Sequence, residues 1–247
     1  MKLTAHRGLS SLAPENTLSA FKKAIQFGCD SIELDVQLSA DHIPVVFHDQ
    51  TVNRCTNGQG KVSDLTWHEL RLLDAGLWFS DEFEGEYIPS LAEILSLAAS
   101  KKININIELK TFPSCDIDLL CEKVALVIME SEIDDEQLLF SSFSTDALLC
   151  IAQYAPTIRR GQLWQTIPYD FLNILQQIDA YSVHCDYRFL TEQQAVKVKS
   201  AGFQLHCYTA NFPELVKEHG NWGVDRIITD TPQNFVKSKA LEPVLDI

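Results

Sequence analysis

Residues 31–49 read Ser-Ile-Glu-Leu-Asp-Val-Gln-Leu-Ser-Ala-Asp-His-Ile-Pro-Val-Val-Phe-His-Asp, a pattern typical of two strands joined by a tight turn. Side chains alternate faces along a strand, so Glu33 and Asp35 should lie on one face. If the turn closes a simple hairpin, paired residues have numbers that sum to about 83, which places His48 opposite Asp35. Two inward carboxylates repel each other and desolvate badly unless a cation lies between them. The stretch therefore predicts a divalent metal site with a histidine beside it.

Alternating strand and helix patterns on either side of this stretch predict a parallel α/β sheet. Besides the hairpin, we expect strands at 3–6, 103–110, 137–143, 159–164, 180–184, 203–209 and 225–230. The total of nine is one more than a TIM (β/α)8 barrel needs. The hairpin supplies the surplus, because its two strands are too close in sequence for a crossover helix. The sequence leaves open which of the two joins the barrel.

The size and composition of the chain bound its class. Its 247 residues match the usual size of one such barrel, about 250 residues, so we expect a single domain over 1–247. A net charge of −14 argues against nucleic acid and against stable membrane association. The chain has no long apolar run and no signal-like start, which predicts a cytoplasmic location. The seven cysteines include no Cys-x-x-Cys pair and are expected to be reduced core residues.

Residues 50–90 carry too little regular pattern to belong to the barrel and form a long insertion after the His48 strand. Loops after barrel strands surround the active site, so we expect the insertion to act as a lid or a substrate-side wall. Most of its aromatic side chains are interpreted as a small core of the insertion itself: Trp67, Trp78, Phe79 and Tyr87.

Polar residues gather where the predicted strands end. In Ile103–Lys110 polar and apolar residues alternate, which sends Glu108 and Lys110 into the barrel mouth. His6 and Arg7 stand at the end of the first strand. A lone histidine near an apolar strand is more often structural, but these residues together fit one task.

That task is hydrolysis of a phosphate ester. Three carboxylates favour Mg²⁺ or Ca²⁺ over zinc, which prefers histidine and cysteine ligands. Arg7 and Lys110 suit an anionic substrate oxygen, and two histidines free of the metal suit a general acid and a general base. The complete set is His6, Arg7, Glu33, Asp35, His48, Glu108 and Lys110.

A helix is expected from Leu18 to Gly28, and Asn16 or Thr17 would cap it. The residues themselves leave two roles open for Glu15 and Asn16, a structural role in capping and a role in the site.

The order and spacing of the motifs resemble the glycerophosphodiester phosphodiesterases over essentially the whole chain. The matching segments are His6-Arg7-Gly8, Pro14-Glu15-Asn16-Thr17, Glu33-Leu34-Asp35-Val36, His48-Asp49, Glu108-Leu109-Lys110, Ser142-Phe143 and Thr229-Asp230-Thr231-Pro232. The resemblance implies a TIM barrel with one divalent ion. It also implies cleavage of a small-molecule glycerophosphodiester, such as glycerophosphocholine or glycerophosphoethanolamine, to sn-glycerol 3-phosphate and an alcohol.

Carried onto this sequence, the resemblance implies a role for each group of residues. The metal ligands would be Glu33, Asp35 and Glu108. The acid and base would be His6 and His48, in an order that the sequence does not fix. The phosphate would be bound by Arg7 with Lys110 close by. Two residues would stand on the substrate side or just behind the site: Glu15 and Asn16.

One segment departs from the family pattern. Residues 208–211 read Tyr-Thr-Ala-Asn, where the family usually presents a tryptophan ahead of Thr and Asn. Tyr208 keeps an aromatic face and adds a hydroxyl, so the wall that contacts the glycerol or the head group is expected to differ. Phe143 and Trp164 are expected either as partners in that wall or as simple core.

Two rival functions stay open. A lysophospholipase D-like or phosphatidylinositol phospholipase-like phosphodiesterase would want an exposed apolar or basic surface. A non-catalytic phosphodiester-binding barrel would be expected to lack a metal carboxylate or a histidine, and none is missing here. The sequence does not choose between a cyclic phosphate intermediate and direct attack by water, nor does it give the oligomeric state.

Overall fold

The computed structural model describes residues 1–239, and its strands form a closed barrel. The strands are β1 (Lys2–His6), β2 (Ser31–Leu38), β3 (Pro44–Val46), β4 (Asn104–Leu109), β5 (Leu138–Ser142), β6 (Arg159–Trp164), β7 (Ser182–Asp186), β8 (Gln204–Tyr208) and β9 (Arg226–Thr229). Within this range, eight parallel strands follow one another in the order β1-β9-β8-β7-β6-β5-β4-β2. The pairing of β1 with β2 closes the ring, so the predicted TIM barrel is confirmed.

Helices connect the strands and surround the barrel. They are α1 (Leu18–Phe27), α2 (Trp67–Arg71), α3 (Leu91–Lys101), α4 (Ile117–Met129), α5 (Thr145–Tyr154), α6 (Phe171–Gln177), α7 (Glu192–Ser200), α8 (Lys217–Asn221) and α9 (Pro232–Lys239). None of these helices combines the length and the apolar character that a membrane span requires, in the part of the chain described.

Strand alternation explains how the barrel separates its core from its site. On β2 the side chains of Ile32, Leu34 and Val36 are fully buried in the large apolar cluster between strands and helices. The intervening Glu33 and Asp35 therefore take the other face. The seven cysteines are free thiols, and five of them are buried, as the sequence predicted.

The hairpin gives the barrel one strand, and its predicted register is wrong by one residue. β2 pairs in parallel with β1 and β4, whereas the short β3 pairs only with β2, in antiparallel fashion, among the strands described. Val36 lies opposite Val46, and the Phe47 N–H donates to the Asp35 carbonyl at 3.0 Å. Phe47 rather than His48 is therefore opposite Asp35, because the connection from Ser39 to Ile43 shifts the pairing.

The insertion forms a mainly aliphatic cluster together with β3 and the residue that follows it. The buried members are Val45, Phe47, Val52, Cys55, Val62, Leu70, Ala75 and Ile88, with Trp67 packed at the edge. Phe79 and Phe83 pack on the barrel side, against Ala20 of α1. The predicted core of the insertion is thus present, although its aromatic residues contribute less to it than expected.

Candidate active site

A cavity of about 220 Å³ opens at the carboxyl ends of the barrel strands. Its lining residues are His6, Arg7, Glu33, His48, Asn106, Glu108, Lys110, Phe143, Leu163, Tyr208, Thr209 and Ile228. The carboxyl ends of parallel strands meet at one face of a TIM barrel, which explains why residues distant in sequence share this cavity. The structure therefore brings together most of the residues that the sequence singled out.

Three carboxylates form one cluster beside the cavity. Glu33 and Asp35 are two residues apart on β2, and Glu108 on β4 pairs directly with Asp35. One oxygen from each of the three groups lies within 4.8 Å of the others. Burial and the charge of Asp35 raise the pKa of Glu33 to about 8, and the same causes raise the pKa of Glu108. Burial and mutual repulsion thus oppose the simultaneous ionisation of the three carboxylates.

The cluster fits a hard divalent cation. All its donor atoms are carboxylate oxygens, the ligands that Mg²⁺ and Ca²⁺ prefer. Asp35 is almost fully buried, and within the described part of the chain its Oδ1 accepts no hydrogen bond, although the Lys110 ammonium lies 3.4 Å away. An unsatisfied buried oxygen of this kind calls for a further partner. These observations make Glu33, Asp35 and Glu108 suitable metal ligands.

Arg7 stands at the centre of the site, on a strained turn. Its φ of 55° lies in the left-handed region, and Gly8 follows with φ 83°, where a Cβ would meet the backbone of Ala20 at 2.6 Å. The turn aims the backbone N–H of Arg7 at Glu33 Oε2, 3.0 Å away. Its guanidinium donates to Glu15 Oε1 at 2.7 Å.

Asp35 stays ionised within this cluster. Burial opposes ionisation, but the charges of Arg7 and Lys110 hold the pKa of Asp35 well below its usual range. Arg7 Nε lies 3.2 Å from one oxygen of Asp35, and Lys110 Nζ lies 3.4 Å from the other. Lys110 also donates to Glu108 Oε1 at 2.8 Å. The two cations therefore border both the acidic cluster and the cavity.

Glu15 and Asn16 lie behind the cavity rather than in its lining. The Asn16 amide donates to Asp35 Oδ2 at 2.9 Å, and the Asp35 N–H donates back to Asn16 Oδ1 at 3.4 Å. Thr17, whose hydroxyl accepts from the Ala20 N–H, caps α1 instead. Asn16 thus orients an acid of the cluster, and Glu15 orients Arg7.

Each of the two histidines is bound by an aspartate through Nδ1. His6 Nδ1 lies 2.6 Å from Asp230 Oδ1, and His48 Nδ1 lies 2.6 Å from Asp49 Oδ1. Hydrogen bonds with the histidines, and with Arg54 at Asp49, lower the pKa of both aspartates to about 2, so these carboxylates act only as acceptors. Nδ1 therefore carries the proton in each ring, and Nε2 is left for proton transfer.

The surroundings move the two imidazoles in opposite directions. Burial lowers the pKa of His6, but the bond to Asp230 and the charge of Glu33 outweigh it, so the pKa of His6 is raised. Burial, with the charges of Arg7 and Lys110, lowers the pKa of His48.

The aromatic wall is only partly as expected. Phe143 and Tyr208 line the cavity and meet edge to face, with ring centroids 6.2 Å apart. Trp164 does not line it, because this side chain packs against the barrel core. The Tyr208 hydroxyl donates to the Trp164 carbonyl at 2.9 Å, so it is already engaged.

Asp230, Asp49 and Arg54 received no role from the sequence. Asp230 and Asp49 belong to the quoted motifs, and a carboxylate beside a histidine or at a strand end is the signal that could have found them. Arg54 belongs to the insertion, which supplies no lining residue of the cavity among residues 1–239. The expected lid or wall is therefore not observed, and the insertion contacts the site through Arg54 instead.

Three comparisons relate this chain to known proteins. Residues 6–234 match the model of the glycerophosphoryl diester phosphodiesterase family. The chain is 38% identical over 236 residues to a glycerophosphodiester phosphodiesterase of Caldanaerobacter subterraneus subsp. tengcongensis, covering 94% of this chain and 95% of that protein. It is 35% identical over 243 residues to one from Bacillus altitudinis, covering 96% and 97%. The solved structure of an Oleispira antarctica phosphodiesterase in complex with the product sn-glycerol-3-phosphate gives a TM-score of 0.93 at 34% identity, covering 97% of both chains.

Proposed function

We propose that this chain, which belongs to the glycerophosphoryl diester phosphodiesterase family, hydrolyses small glycerophosphodiesters to sn-glycerol 3-phosphate and an alcohol. One observation carries the proposal. A single cavity brings together His6 and His48, each bound to an aspartate, with the side chains of Arg7 and Lys110 and a cluster of carboxylates. The Oleispira antarctica relative binds sn-glycerol-3-phosphate, which supports this product.

One Mg²⁺ or Ca²⁺ would be held by Glu33, Asp35 and Glu108. When bound, the ion supplies a Lewis acid that stabilises negative charge on the phosphoryl oxygens. It would also offset the burial and the charge of Asp35, which together raise the pKa of Glu33 to about 8.

Arg7 and Lys110 would bind the phosphodiester anion. Both side chains line the cavity, and both are held in place by carboxylates rather than free to move. A guanidinium and an ammonium on adjoining sides match the non-bridging oxygens of a phosphodiester and stabilise the charge that builds up there during reaction. Phe143 and Tyr208 would pack against the carbon atoms of the substrate.

His6 and His48 would transfer the protons. The Nε2 of one imidazole takes the proton of the attacking hydroxyl as the new P–O bond forms. The Nε2 of the other gives a proton to the alcohol oxygen as its bond to phosphorus breaks. If the C2 hydroxyl of the glycerol attacks, a cyclic phosphate forms, and water then opens it with the two roles reversed. Direct attack by water would use the same residues.

The direct test is release of sn-glycerol 3-phosphate from glycerophosphocholine by the purified protein. Turnover should be lost in EDTA and return with Mg²⁺ or Ca²⁺. His6→Ala and Glu108→Ala should each abolish it, whereas the exposed His68 on α2 provides the control His68→Ala. Turnover that survives both site substitutions would show that the site is assigned wrongly. Turnover of lysophospholipids but of no glycerophosphodiester would favour the lysophospholipase D-like activity.

Four expectations from the sequence stay predictions. They are a single domain over 1–247, a cytoplasmic location, no stable membrane association and no binding of nucleic acid. The chain's net charge of −14 supports the expectations about membranes and nucleic acid, because an acidic protein is repelled by anionic membrane surfaces and by the phosphates of nucleic acid.

A further inference from the structure

Arg54 connects the insertion to the charged groups around the active site. Its guanidinium donates four hydrogen bonds to two carboxylates. Nε and Nη2 donate to Asp49 at 2.6 and 2.9 Å, while Nη1 and Nη2 donate to Glu15 at 2.8 and 2.8 Å. Each carboxylate thus accepts two hydrogen bonds from Arg54, the bidentate geometry for which a planar guanidinium is suited.

Each of these carboxylates also holds a residue of the site. Asp49 lies 2.6 Å from His48 Nδ1, and Glu15 accepts a hydrogen bond from Arg7 Nη1 at 2.7 Å. The charges alternate along this chain of contacts, from the guanidinium of Arg7 to Glu15, Arg54, Asp49 and the imidazole of His48. Arg54 of the insertion is therefore connected through Asp49 to His48, a proposed proton-transfer residue, and through Glu15 to Arg7, a proposed phosphate-binding residue.

The network differs from an ordinary surface ion pair. An isolated exposed ion pair contributes little to stability. The Arg54 side chain is 45% exposed, but its partners Glu15 and Asp49 are only 15% and 26% exposed. Without the guanidinium, two carboxylates would face each other across the space it fills and would repel.

We propose that Arg54 is a positioning residue for the reaction, because its guanidinium fixes Asp49 and through it His48, and fixes Glu15 and through it Arg7. The inference rests on the proposed function for the roles of His48 and Arg7. The insertion would then contribute to the site by holding Asp49 and Glu15 in place through Arg54, and not by covering the cavity.

The first test compares Arg54→Ala and Arg54→Lys with the matched control Arg71→Ala. Arg71 is also an insertion arginine, its side chain is 44% exposed, and it bridges to the barrel by donating to Glu93 of α3 at 3.0 Å. Arg71→Ala therefore removes an ion pair between insertion and barrel, together with the contacts of the guanidinium with Trp67 and Tyr87, without touching the site. A loss of activity that came only from weaker packing of the insertion would appear in this variant too.

The expected result is a fall in kcat/KM of about 10–100-fold for Arg54→Ala, the usual loss when a residue that orients a catalytic group is removed. Both constants should change, kcat through His48 and KM through Arg7. Arg54→Lys should retain only part of the wild-type kcat/KM, because an ammonium cannot make bidentate hydrogen bonds to two carboxylates. Arg71→Ala should stay within about twofold of the wild type. Equal kinetics for the two alanine variants would overturn the inference.

Two further arms separate positioning from mere structure. Guanidinium ion at millimolar concentration should restore part of the activity of Arg54→Ala, because the position is open to solvent, and should leave Arg71→Ala unchanged. In an Asp49→Asn background, Arg54→Ala should cost less than it does alone, since both changes act on His48. Full additivity together with no rescue by guanidinium would contradict the proposal.

An activity-free readout distinguishes this inference from the proposed function. In ¹⁵N spectra, the His48 ring of the wild type should be the Nδ1–H tautomer, and Arg54→Ala should give a mixture of tautomers. If the wild type cleaves no glycerophosphodiester yet this change occurs, the proposed function fails and the positioning role stands. If the wild type is active and neither tautomer nor kinetics responds to Arg54→Ala, the positioning role fails and the function stands.

Discussion

The barrel has a cavity at each end, and the larger one lies away from the proposed active site. The cavity of the proposed active site holds about 220 Å³. The opposite end, where the strands begin, holds about 320 Å³ and is lined by polar residues such as Lys2, Asn104, Arg159 and His206. Both ends carry positive side chains and histidines, so neither cavity size nor the presence of these groups identifies the end that holds the proposed active site.

Carboxylates on the histidines distinguish the two ends. His6 and His48 are each bound to an aspartate at 2.6 Å. His184 and His206 instead stack with ring centroids 4.5 Å apart, and His184 is bound to a neutral serine hydroxyl at 2.9 Å. Burial lowers the pKa of His184 to about 3 and that of His206 well below its ordinary value. An imidazole that a carboxylate orients is suited to proton transfer. An imidazole that is buried without such a carboxylate is not.

The largest contrast should come from replacing one histidine at each end. His48→Ala should lower kcat by about 10²–10⁴-fold, the typical contribution of a positioned acid or base. His206→Ala should leave kcat unchanged within about threefold, because it lies at the mouth opposite to the chemistry. Steady-state rates on glycerophosphocholine, with circular dichroism to verify folding, measure both. Comparable losses of kcat in His48→Ala and His206→Ala would contradict the assignment of catalysis to one end of the barrel.

The two aspartates that flank β9 give a second contrast. Asp230 follows the strand and binds His6, whereas Asp225 precedes it and accepts from Lys199 and the Leu205 N–H. Asp230→Asn should lower kcat by about 10²–10⁴-fold, because an amide can stabilise the wrong imidazole tautomer. Asp225→Asn should lower the midpoint of thermal unfolding and leave kcat unchanged. A reversed pattern in kcat and melting temperature would contradict this reading.

The buried pair His184 and His206 should lower the stability of the fold at acid pH. Unfolded His184 has its ordinary pKa of 6.5, whereas its native pKa is about 3. Between these values only the unfolded chain binds the proton, so the free energy of unfolding falls as pH drops below 6.5, by about 1.4 kcal/mol per pH unit. Urea unfolding at pH 7.5 and 5.5 should show a smaller difference for His184→Gln than for the wild type. Equal differences would show that His184 titrates alike in the folded and the unfolded chain.

The smallest contrast concerns one tyrosine at each end. Tyr208→Phe removes the hydroxyl that donates to the Trp164 carbonyl and should lower kcat/KM about fivefold, corresponding to about 1 kcal/mol for one hydrogen bond. Tyr181→Phe, in the wall of the opposite cavity, should leave kcat/KM unchanged. Equal kinetics for the two variants would mean that the orientation of the Tyr208 ring is unimportant.

Much of the catalytic end could be predicted from the sequence because strand alternation is a local rule. It places Glu33 and Asp35 on one face of β2 and Glu108 with Lys110 at the end of β4, and their order along the chain matches the family. The hairpin register was missed by one residue, because it depends on the geometry of a five-residue connection that no alternation rule fixes. His48 reaches the site because the chain leaves β3 after Val46.

The supporting residues could not be predicted in the same way. Asp230 reaches His6 across 224 positions of sequence, and Arg54 reaches Glu15 across 39. These contacts exist only because the ring of strands closes and the insertion packs on it. Trp164 is a further case, since the sequence left open whether it belongs to the cavity wall or to the core, and the packing of the closed barrel places its side chain against the core.

A crystal structure of this chain with sn-glycerol 3-phosphate and Ca²⁺ would test the proposed site most directly. We expect the phosphate beside Arg7 and Lys110, within reach of His6 and His48. We expect the cation on the oxygens of Glu33, Asp35 and Glu108. Binding of the product in the larger cavity at the opposite end, or a cation held by other residues, would contradict the proposed site.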